Sequence, residues 1–191
     1  KWDRGFNTYK RRQLILGFFV SETEIQELKN ASDDSKQRKL YKIMKDRTER
    51  NIKMDCLVQP SDTQEWYHLV WERMSDASFV WMVERSEHLG QWARNRTLEL
   101  VRLSTDKWIS PWYRKRYSPD PIGALETSHI ALAVCEANEN CNELFTGEEL
   151  EEIRTAIREK GMILCKRFCE KTVNERQHIN NWFIVLLNGY Y

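Results

Sequence analysis

Apolar residues recur every three or four positions through much of the chain, the interval that places side chains on one face of an α-helix. The clearest series consists of Leu150, Ile153, Ile157, Gly161, Leu164 and Phe168. It follows Thr146 and predicts a long helix that ends near Lys171. An Ala-rich apolar stretch predicts a second buried helix from Leu125 to about Asn138.

Two capping signals mark where helices begin. Ser21 is followed three residues later by Glu24, and Thr146 is followed in the same way by Glu149. In this arrangement the hydroxyl accepts a hydrogen bond from a free backbone N–H, and the carboxylate caps the N–H of the hydroxyl residue. The first signal predicts a helix that runs to about Asn30, and the second starts the long helix.

Three more helices are predicted in the first half of the chain. A narrow apolar stripe predicts one that ends near Asn51, and a second is expected from Thr63 to Arg73. We expect Ser75 or Asp76 to cap a third helix, because short polar side chains favour that position. Its apolar spacing continues to about Leu103, and the polar residues that interrupt it, Ser86, Glu87 and Thr97, indicate either a kink or an exposed middle.

The stretch from Thr105 to Gly123 is the least regular, because its three prolines exclude a continuous helix. Its prominent aromatic and cationic residues are Trp108, Trp112, Tyr113, Arg114 and Arg116. These residues could line a sugar site, since arginine binds carboxylate or sulfate through two parallel hydrogen bonds. They fit equally a loop that is held in place by tryptophan packing.

The predicted fold class is all-α. After residue 20 no alternation of apolar and polar residues indicates a strand, and the helices are joined by short loops. Helices that are apolar on more than one side favour a stack or ring of antiparallel helical hairpins over a four-helix bundle. Residues 1–20 form a lead-in segment, in which a short strand is plausible, and residues 21–191 form one helical domain.

Composition narrows the function. The chain has 30 Lys and Arg against 29 Asp and Glu, so there is no basic excess of the kind that favours nucleic acid. No apolar run reaches the roughly 18 residues that a membrane span needs. The five cysteines and four histidines show no metal-ligand spacing, so we expect no metal and no cofactor.

A polar cluster near the end of the chain is the strongest candidate for chemistry. His178, Asn180 and Asn181 stand directly before the apolar run from Trp182 to Leu187. A helix that begins there would present its free N–H groups and positive dipole end beside these side chains, and such an end favours anions. The alternative is an asparagine that merely caps a core helix. The run reaches Tyr191 without a stop signal, so we expect the natural chain to continue.

Three stretches, taken in order, resemble the N-terminal helical domain of the heparinase II/III-like polysaccharide lyases. They are Leu16–Lys29, Gly123–Ala133 followed by Leu144–Glu149, and Asn180-Asn181-Trp182 with Val185 and Gly189. The resemblance implies an incomplete (α/α) toroid, with an antiparallel β-sandwich domain beyond residue 191. It also implies cleavage of uronic-acid-containing polysaccharide by β-elimination, in a secreted or periplasmic protein.

The resemblance assigns roles to particular residues. Asn181 or Asn180 would neutralise the uronate carboxylate, which helps to stabilise the enolate that forms. His178 would neutralise charge or act as an acid or base, and Trp182 would pack behind them or stack on a sugar. The remaining groove candidates are Trp108, Trp112, Tyr113, Arg114, Arg116, Glu126 and His129. The essential tyrosine is expected beyond Tyr191.

Two of these candidates have simpler interpretations. His129 could be a hydrogen-bonded histidine of the helix, and Glu126 could be a carboxylate that favours the positive end of that helix. The expected function is the N-terminal part of a lyase that acts on acidic polysaccharide, with this fragment alone inactive. The alternatives are a non-catalytic helical module that binds carbohydrate or protein, and a glycoside hydrolase on an (α/α) toroid.

Overall fold

A computed structural model describes residues 20–54, 63–116, 119–175 and 181–188, and this part of the chain is helical with no strand. Its α-helices are α1 (Glu22–Asn30), α2 (Lys36–Met54), α3 (Gln64–Glu84), α4 (Glu87–Arg102), α5 (Pro111–Arg116), α6 (Leu125–Asn140), α7 (Gly147–Ala156), α8 (Ile163–Asn174) and α9 (Asn181–Asn188). A π-helical turn, Ile157–Met162, joins α7 to α8. The all-α prediction is confirmed, whereas the lead-in segment before Val20 lies outside the described residues.

Both capping boxes are present. The Ser21 hydroxyl accepts a hydrogen bond of 3.2 Å from the N–H of Glu24, whose carboxylate accepts one of 2.7 Å from the N–H of Ser21. Thr146 and Glu149 exchange the same two bonds, at 3.2 and 2.9 Å. These reciprocal bonds satisfy N–H groups that a helix start leaves without partners, so α1 and α7 begin where predicted.

The predicted division between residues 73 and 75 is wrong, because α3 passes through it without a break. The hydroxyl of Ser75 donates to Glu136 on α6, and Asp76 accepts two hydrogen bonds from Arg47 on α2. Polar side chains that suggested a helix cap therefore bind neighbouring helices. The neighbouring sequence alone does not show whether such a side chain caps its own helix or binds another one.

The real break lies ten residues further on, at Arg85. This residue takes the left-handed conformation, with φ of 57°, and its N–H donates to the carbonyl of Trp81. A left-handed residue closes the last helical turn and reverses the chain. Helix α4 then returns along α3, with Gly90 so close to Trp81 that an added Cβ would lie 2.5 Å from the indole nitrogen.

A second hairpin follows, made of α6 and the continuous α7–π–α8 helix. The N–H of Gly123, just before α6, donates a 2.8 Å bond to the carbonyl of Leu164. Further along α6, Ala131 lies beside Gly161, where an added Cβ would come within 3.0 Å of the Ala131 Cβ. The two helices therefore run antiparallel, and the glycine permits their close approach.

The two hairpins stack with matching directions. Along the contact between α3 and α6, His68 meets His129, Ser75 meets Glu136, and Ser78 meets Asn140. Residue numbers rise together on both helices, so α3 and α6 are parallel. Helices α4 and α7 are also parallel, because Arg94 binds Glu149 and Arg102 binds Glu152. Helix α2 runs antiparallel to α3, with Tyr41 bound to Glu84 and Arg47 to Asp76.

Helix α9 lies against α6 and α8. Its Leu186 is fully buried in a cluster with Cys165 and Cys169 of α8. The hydroxyl of Ser128, near the start of α6, donates a 2.9 Å bond to the carbonyl of Val185. Asn181, the first residue of α9, stands one turn before Val185, so it lies within roughly 6 Å of that level along the helix axis.

The cysteines of the described residues are unpaired. Cys141, Cys165 and Cys169 are buried, Cys135 is partly buried, and Cys56 lies outside the described part. Burial raises the pKa of the Cys165 thiol to about 12, so it stays protonated and packs as a small apolar group. None of the described helices combines the length and apolarity that crossing a membrane requires.

Candidate functional site

The strongest sequence candidates are only partly described. His178 and Asn180 lie outside the described residues, so their predicted roles stay predictions. Asn181 opens α9 and is exposed to solvent. Trp182 belongs to the first turn of the same helix, and its side chain lies outside the described part. The predicted helix start at the polar cluster is thus found at Asn181.

Two aromatic candidates of the Thr105–Gly123 stretch are core residues. Trp108 has 0% exposure, and its indole N–H donates a 3.0 Å bond to the carbonyl of Leu100. Tyr113 is also buried, with its ring 6.5 Å from that of Phe168. A ring without an open face cannot stack on a sugar, so Trp108 is not a groove residue. For this residue, tryptophan packing is the interpretation that holds.

Arg114 is engaged within the protein. Its Nε donates a 2.8 Å bond to the carbonyl of Ile109, and Nη1 donates to the Asp106 carboxylate at 3.3 Å. These bonds hold α5 against the 3₁₀ turn Thr105–Trp108. The guanidinium therefore stabilises the loop, which is a different use from the predicted binding of a substrate carboxylate.

Trp112 and Arg116 form an open platform on α5. Trp112 is 57% exposed, and the guanidinium carbon of Arg116 lies 4.8 Å from the centre of its ring. Tyr113 meets the same indole edge-on, with ring centroids 4.7 Å apart. A cation over an aromatic face is attracted by the negative potential of the ring. This pair is the part of the predicted aromatic loop that a ligand can reach.

Glu126 and His129 occupy the first turns of α6, where they are 2% and 8% exposed. Neither Glu126 Oε2 nor His129 Nδ1 has a hydrogen-bond partner among the described residues. Buried polar atoms are nearly always paired, because an unpaired one costs about 1–3 kcal/mol. No hydrogen bond of the described residues tests the interpretation of His129 as a hydrogen-bonded core histidine, which stays a prediction.

Two residues that the sequence analysis missed surround His129. Trp71 of α3 stacks on the His129 ring, with centroids 5.3 Å apart and planes 15° from parallel. His68, one turn earlier on α3 and exposed to solvent, meets the same ring edge-on at 5.4 Å. The Trp71 N–H donates a 3.3 Å bond to Glu136, which also accepts from Ser75.

This surrounding keeps His129 uncharged. Burial, and secondarily the neighbouring His68, lower the pKa of His129 from 6.5 to about 4. Burial acts in this direction because it disfavours the charged imidazolium. At neutral pH the ring is therefore a neutral imidazole, which can donate through one nitrogen and accept through the other.

The polar candidates share one end of the molecule. His68 lies near the start of α3, and Glu126 and His129 lie near the start of the parallel helix α6. The Tyr67 hydroxyl donates a 2.9 Å bond to the carbonyl of Lys107, which places the loop before α5 at the same end. We call this region the polar end, defined by His68, Glu126, His129 and Asn181.

The sequence gives a weak signal for the missed residues. His68 and Trp71 are three apart and share one helical face, which a periodicity search can register. Nothing local indicates that this face meets His129, because that contact depends on how two hairpins stack. Among the described residues no group of His, Cys, Asp and Glu is arranged to hold a metal ion.

Comparisons of the chain with protein-family models, with curated proteins and with solved structures found no match. The candidate site therefore depends on the geometry of the polar end and on the residue resemblance described above.

Proposed function

We propose that this chain is the helical part of a polysaccharide lyase that cleaves an acidic, uronate-containing glycan by β-elimination. The observation that carries the proposal is the grouping of His68, Glu126, His129 and Asn181 at the polar end. They come from three helices that are distant in sequence. Imidazole, carboxylate and amide side chains at one end of a fold are candidates for the acid, base and donor roles of a site.

The direction of the helices supports an acidic ligand. The parallel helices α3 and α6 both begin at the polar end, so the positive ends of their dipoles point the same way. Each start also leaves backbone N–H groups without helical partners. An anionic sugar that approached this end would be attracted by both effects, although salt would screen the attraction.

The stacking of hairpins supports an incomplete (α/α) toroid. In this arrangement one helix of every hairpin forms an inner layer, and its partner forms an outer layer of opposite direction. The parallel pair α3 and α6, with the parallel pair α4 and α7 beside it, follows this rule. We infer that α9 belongs to the inner layer of the next unit. A β-sandwich domain beyond residue 191 completes the proposed lyase, which we place outside the cytoplasm, secreted or periplasmic.

The chemistry requires a donor for the uronate carboxylate, a base for the C5 proton and an acid for the leaving oxygen. Removal of the C5 proton sends its electron pair into a C4–C5 double bond, while the C4–O bond breaks and the leaving oxygen takes a proton. We assign Asn181 to the carboxylate, because a neutral amide donor stabilises the charge that develops there. Asn180 and His178 remain candidates for the same step, and the base is expected outside these residues.

The test uses the natural protein that contains this chain. The purified protein is incubated with pectate, alginate, heparin, chondroitin and hyaluronan, and the ultraviolet absorbance of the unsaturated uronate product is followed. A rise on one of them, removed by Asn181→Ala, supports the proposal. Absence of a rise on every polymer, from a protein that is folded by circular dichroism, contradicts it.

A second function, a binding module without catalysis, is favoured by the Trp112–Arg116 platform. An exposed indole with a guanidinium over its face suits stacking on an anionic sugar without any reaction. Affinity electrophoresis of the chain in gels that contain the same glycans separates the two functions. Retardation without product in the full protein favours the binding module.

A further inference from the structure

His68 is the exposed member of a stack of rings at the polar end. Its ring centroid lies 5.4 Å from that of His129 and its ring lies 6.3 Å from that of Trp71, both in edge-on geometry. Trp71 is in turn held by its bond to Glu136. Two ring contacts therefore limit the orientation of a histidine that still faces solvent.

The ring behind His68 carries no charge. Burial lowers the pKa of His129 to about 4, so that ring is a neutral imidazole at neutral pH. The starts of α3 and α6 add the positive ends of two helix dipoles. An anion beside His68 would therefore meet a favourable potential and an N–H donor.

A second, independent observation points to a ligand at this position. Glu126 Oε2 and His129 Nδ1 are buried and have no hydrogen-bond partner among the described residues. Both residues lie in the first turns of α6, and the ring of His129 contacts that of His68. A buried polar atom without a partner costs about 1–3 kcal/mol, so a ligand that bonds to either atom would recover that cost.

We propose that His68 is a binding residue of the polar end and donates a hydrogen bond to the carboxylate of a uronate ring. The proposal rests on the lyase function for the identity of the ligand, and it adds a residue from α3 to candidates that otherwise come from α5, α6 and α9. Asn181 and His68 would then bind the same carboxylate from different helices. Charge-assisted bonds of this kind are among the stronger hydrogen bonds.

Nuclear magnetic resonance of the histidine side chains tests the proposal directly. The chain is labelled with ¹⁵N and titrated with saturated oligosaccharides of galacturonate, of alginate and of heparin, and with maltohexaose as a neutral probe. We expect one of the oligouronates to shift the imidazole signals of His68, and maltohexaose to leave them in place. Dissociation constants come from the same titrations.

Two variants make the test specific. His68→Gln should weaken the binding of the oligouronate about tenfold, the loss expected for one charge-assisted bond. His88→Gln is the matched control, because His88 is also exposed and lies at the start of α4, at the opposite end of α3. It should leave the affinity within about twofold, since it removes no contact at the polar end.

The outcomes separate this inference from the lyase function. If an oligouronate binds and the glycan is cleaved, but His68 does not respond and His68→Gln keeps its affinity, the inference is overturned and the lyase function stands. If His68 responds as expected while no glycan is cleaved, the binding site stands and the lyase function fails. Absence of binding by every oligouronate overturns the inference as well.

Discussion

Ser128 of α6 donates a hydrogen bond of 2.9 Å to the backbone carbonyl of Val185 in α9. The last four carbonyls of a helix have no partner within it, and Val185 is among the last four residues of α9. The Ser128 hydroxyl therefore pairs with a carbonyl that would otherwise have no hydrogen-bond partner. It also fixes the level of α9, and with it Asn181, relative to the start of α6.

Ser128→Ala should loosen α9 without unfolding the hairpins. Loss of one buried hydrogen bond costs about 1 kcal/mol, which corresponds to roughly fivefold faster exchange of the amides that open with α9. Hydrogen exchange followed by mass spectrometry measures this. Thr97→Val is the control, because it removes a buried hydroxyl bond to Ala93 within α4. Equal effects of both variants on α9 would contradict the role of Ser128.

Gly123→Ala should destabilise the protein by about 2 kcal/mol, as expected when atoms are forced into a packed site. The added Cβ would lie 2.8 Å from the carbonyl carbon and oxygen of Leu164, and backbone atoms cannot turn away as a side chain can. Urea unfolding gives the free energy. At Gly147, by contrast, nothing lies within 4 Å of an added Cβ. Gly147→Ala should therefore be neutral or stabilise by about 0.5 kcal/mol, and a loss there would contradict the packing argument.

Arg47→Ala should cost about 2–3 kcal/mol at neutral pH, because it removes hydrogen bonds to a charged group and leaves the buried Asp76 carboxylate without its partner. The pair is bidentate, with bonds of 2.7 and 2.9 Å, and Asp76 is 6% exposed. The matched control is Arg102→Ala, whose pair with Glu152 has similar geometry but is exposed. Exposed pairs contribute about 0–1 kcal/mol.

The pH dependence of Arg47→Ala provides a second check. Burial raises the pKa of Asp76, and Arg47 opposes the rise. Without Arg47 the pKa goes higher still, so acidification protonates the carboxyl sooner and removes the cost of burying its charge. The destabilisation should shrink between pH 7 and pH 4.5, as followed by urea unfolding midpoints. A constant loss would show that Arg47 acts by packing alone.

His129 should make the folded state less stable in acid. Its pKa falls from 6.5 to about 4 on folding, so between these values the unfolded chain binds the proton better. Titration of His129 therefore leaves the free energy of unfolding unchanged above pH 6.5 and lowers it progressively as the pH falls toward 4. His129→Gln cannot titrate and should flatten this part of the stability profile. An imidazole titration near 6.5 for His129 by magnetic resonance would contradict the assignment.

The two tryptophans of the predicted aromatic loop should respond in opposite ways. Trp108→Ala empties a fully buried site and should cost about 3–5 kcal/mol. Trp112→Ala should change stability by less than about 0.5 kcal/mol, because that ring is exposed. If Trp112 stacks on sugar, its loss should weaken acidic-glycan retention about fivefold. Unchanged retention would limit the ligand surface to the polar end.

Helix starts were predictable from the sequence wherever the signal was local. The boxes at Ser21 and Thr146 need only residues that are three apart, and both helices begin there. Ser75 and Asp76 show the limit of such rules. Their side chains suit a cap, yet they bind Glu136 and Arg47, residues whose proximity follows only from packing. The break at Arg85 adjoins the polar interruption at Ser86 and Glu87, where the sequence leaves a kink and an exposed middle both open, because a left-handed arginine has no sequence signature that decides between them.

The arrangement of the candidate residues was predictable only in part. Glu126, His129 and Asn181 were named from the sequence as candidates, and their roles stay predictions. His68 and Trp71 were missed, because the pairing of α3 with α6 joins residues that are far apart in the chain. Trp108 and Trp112 look alike in the sequence, and only the course of the loop decides that one ring is buried and the other exposed.

The π-helical turn at Ile157–Met162 has a consequence for how this long helix tolerates change. A π turn holds one residue more than an α turn, and one residue corresponds to about 100° of rotation. The wider turn takes up an extra residue locally, so that α7 keeps its contact with α4 and α8 keeps its contact with α9. It is therefore the part of this long helix where the number of residues can change with the least effect on the packing at either side.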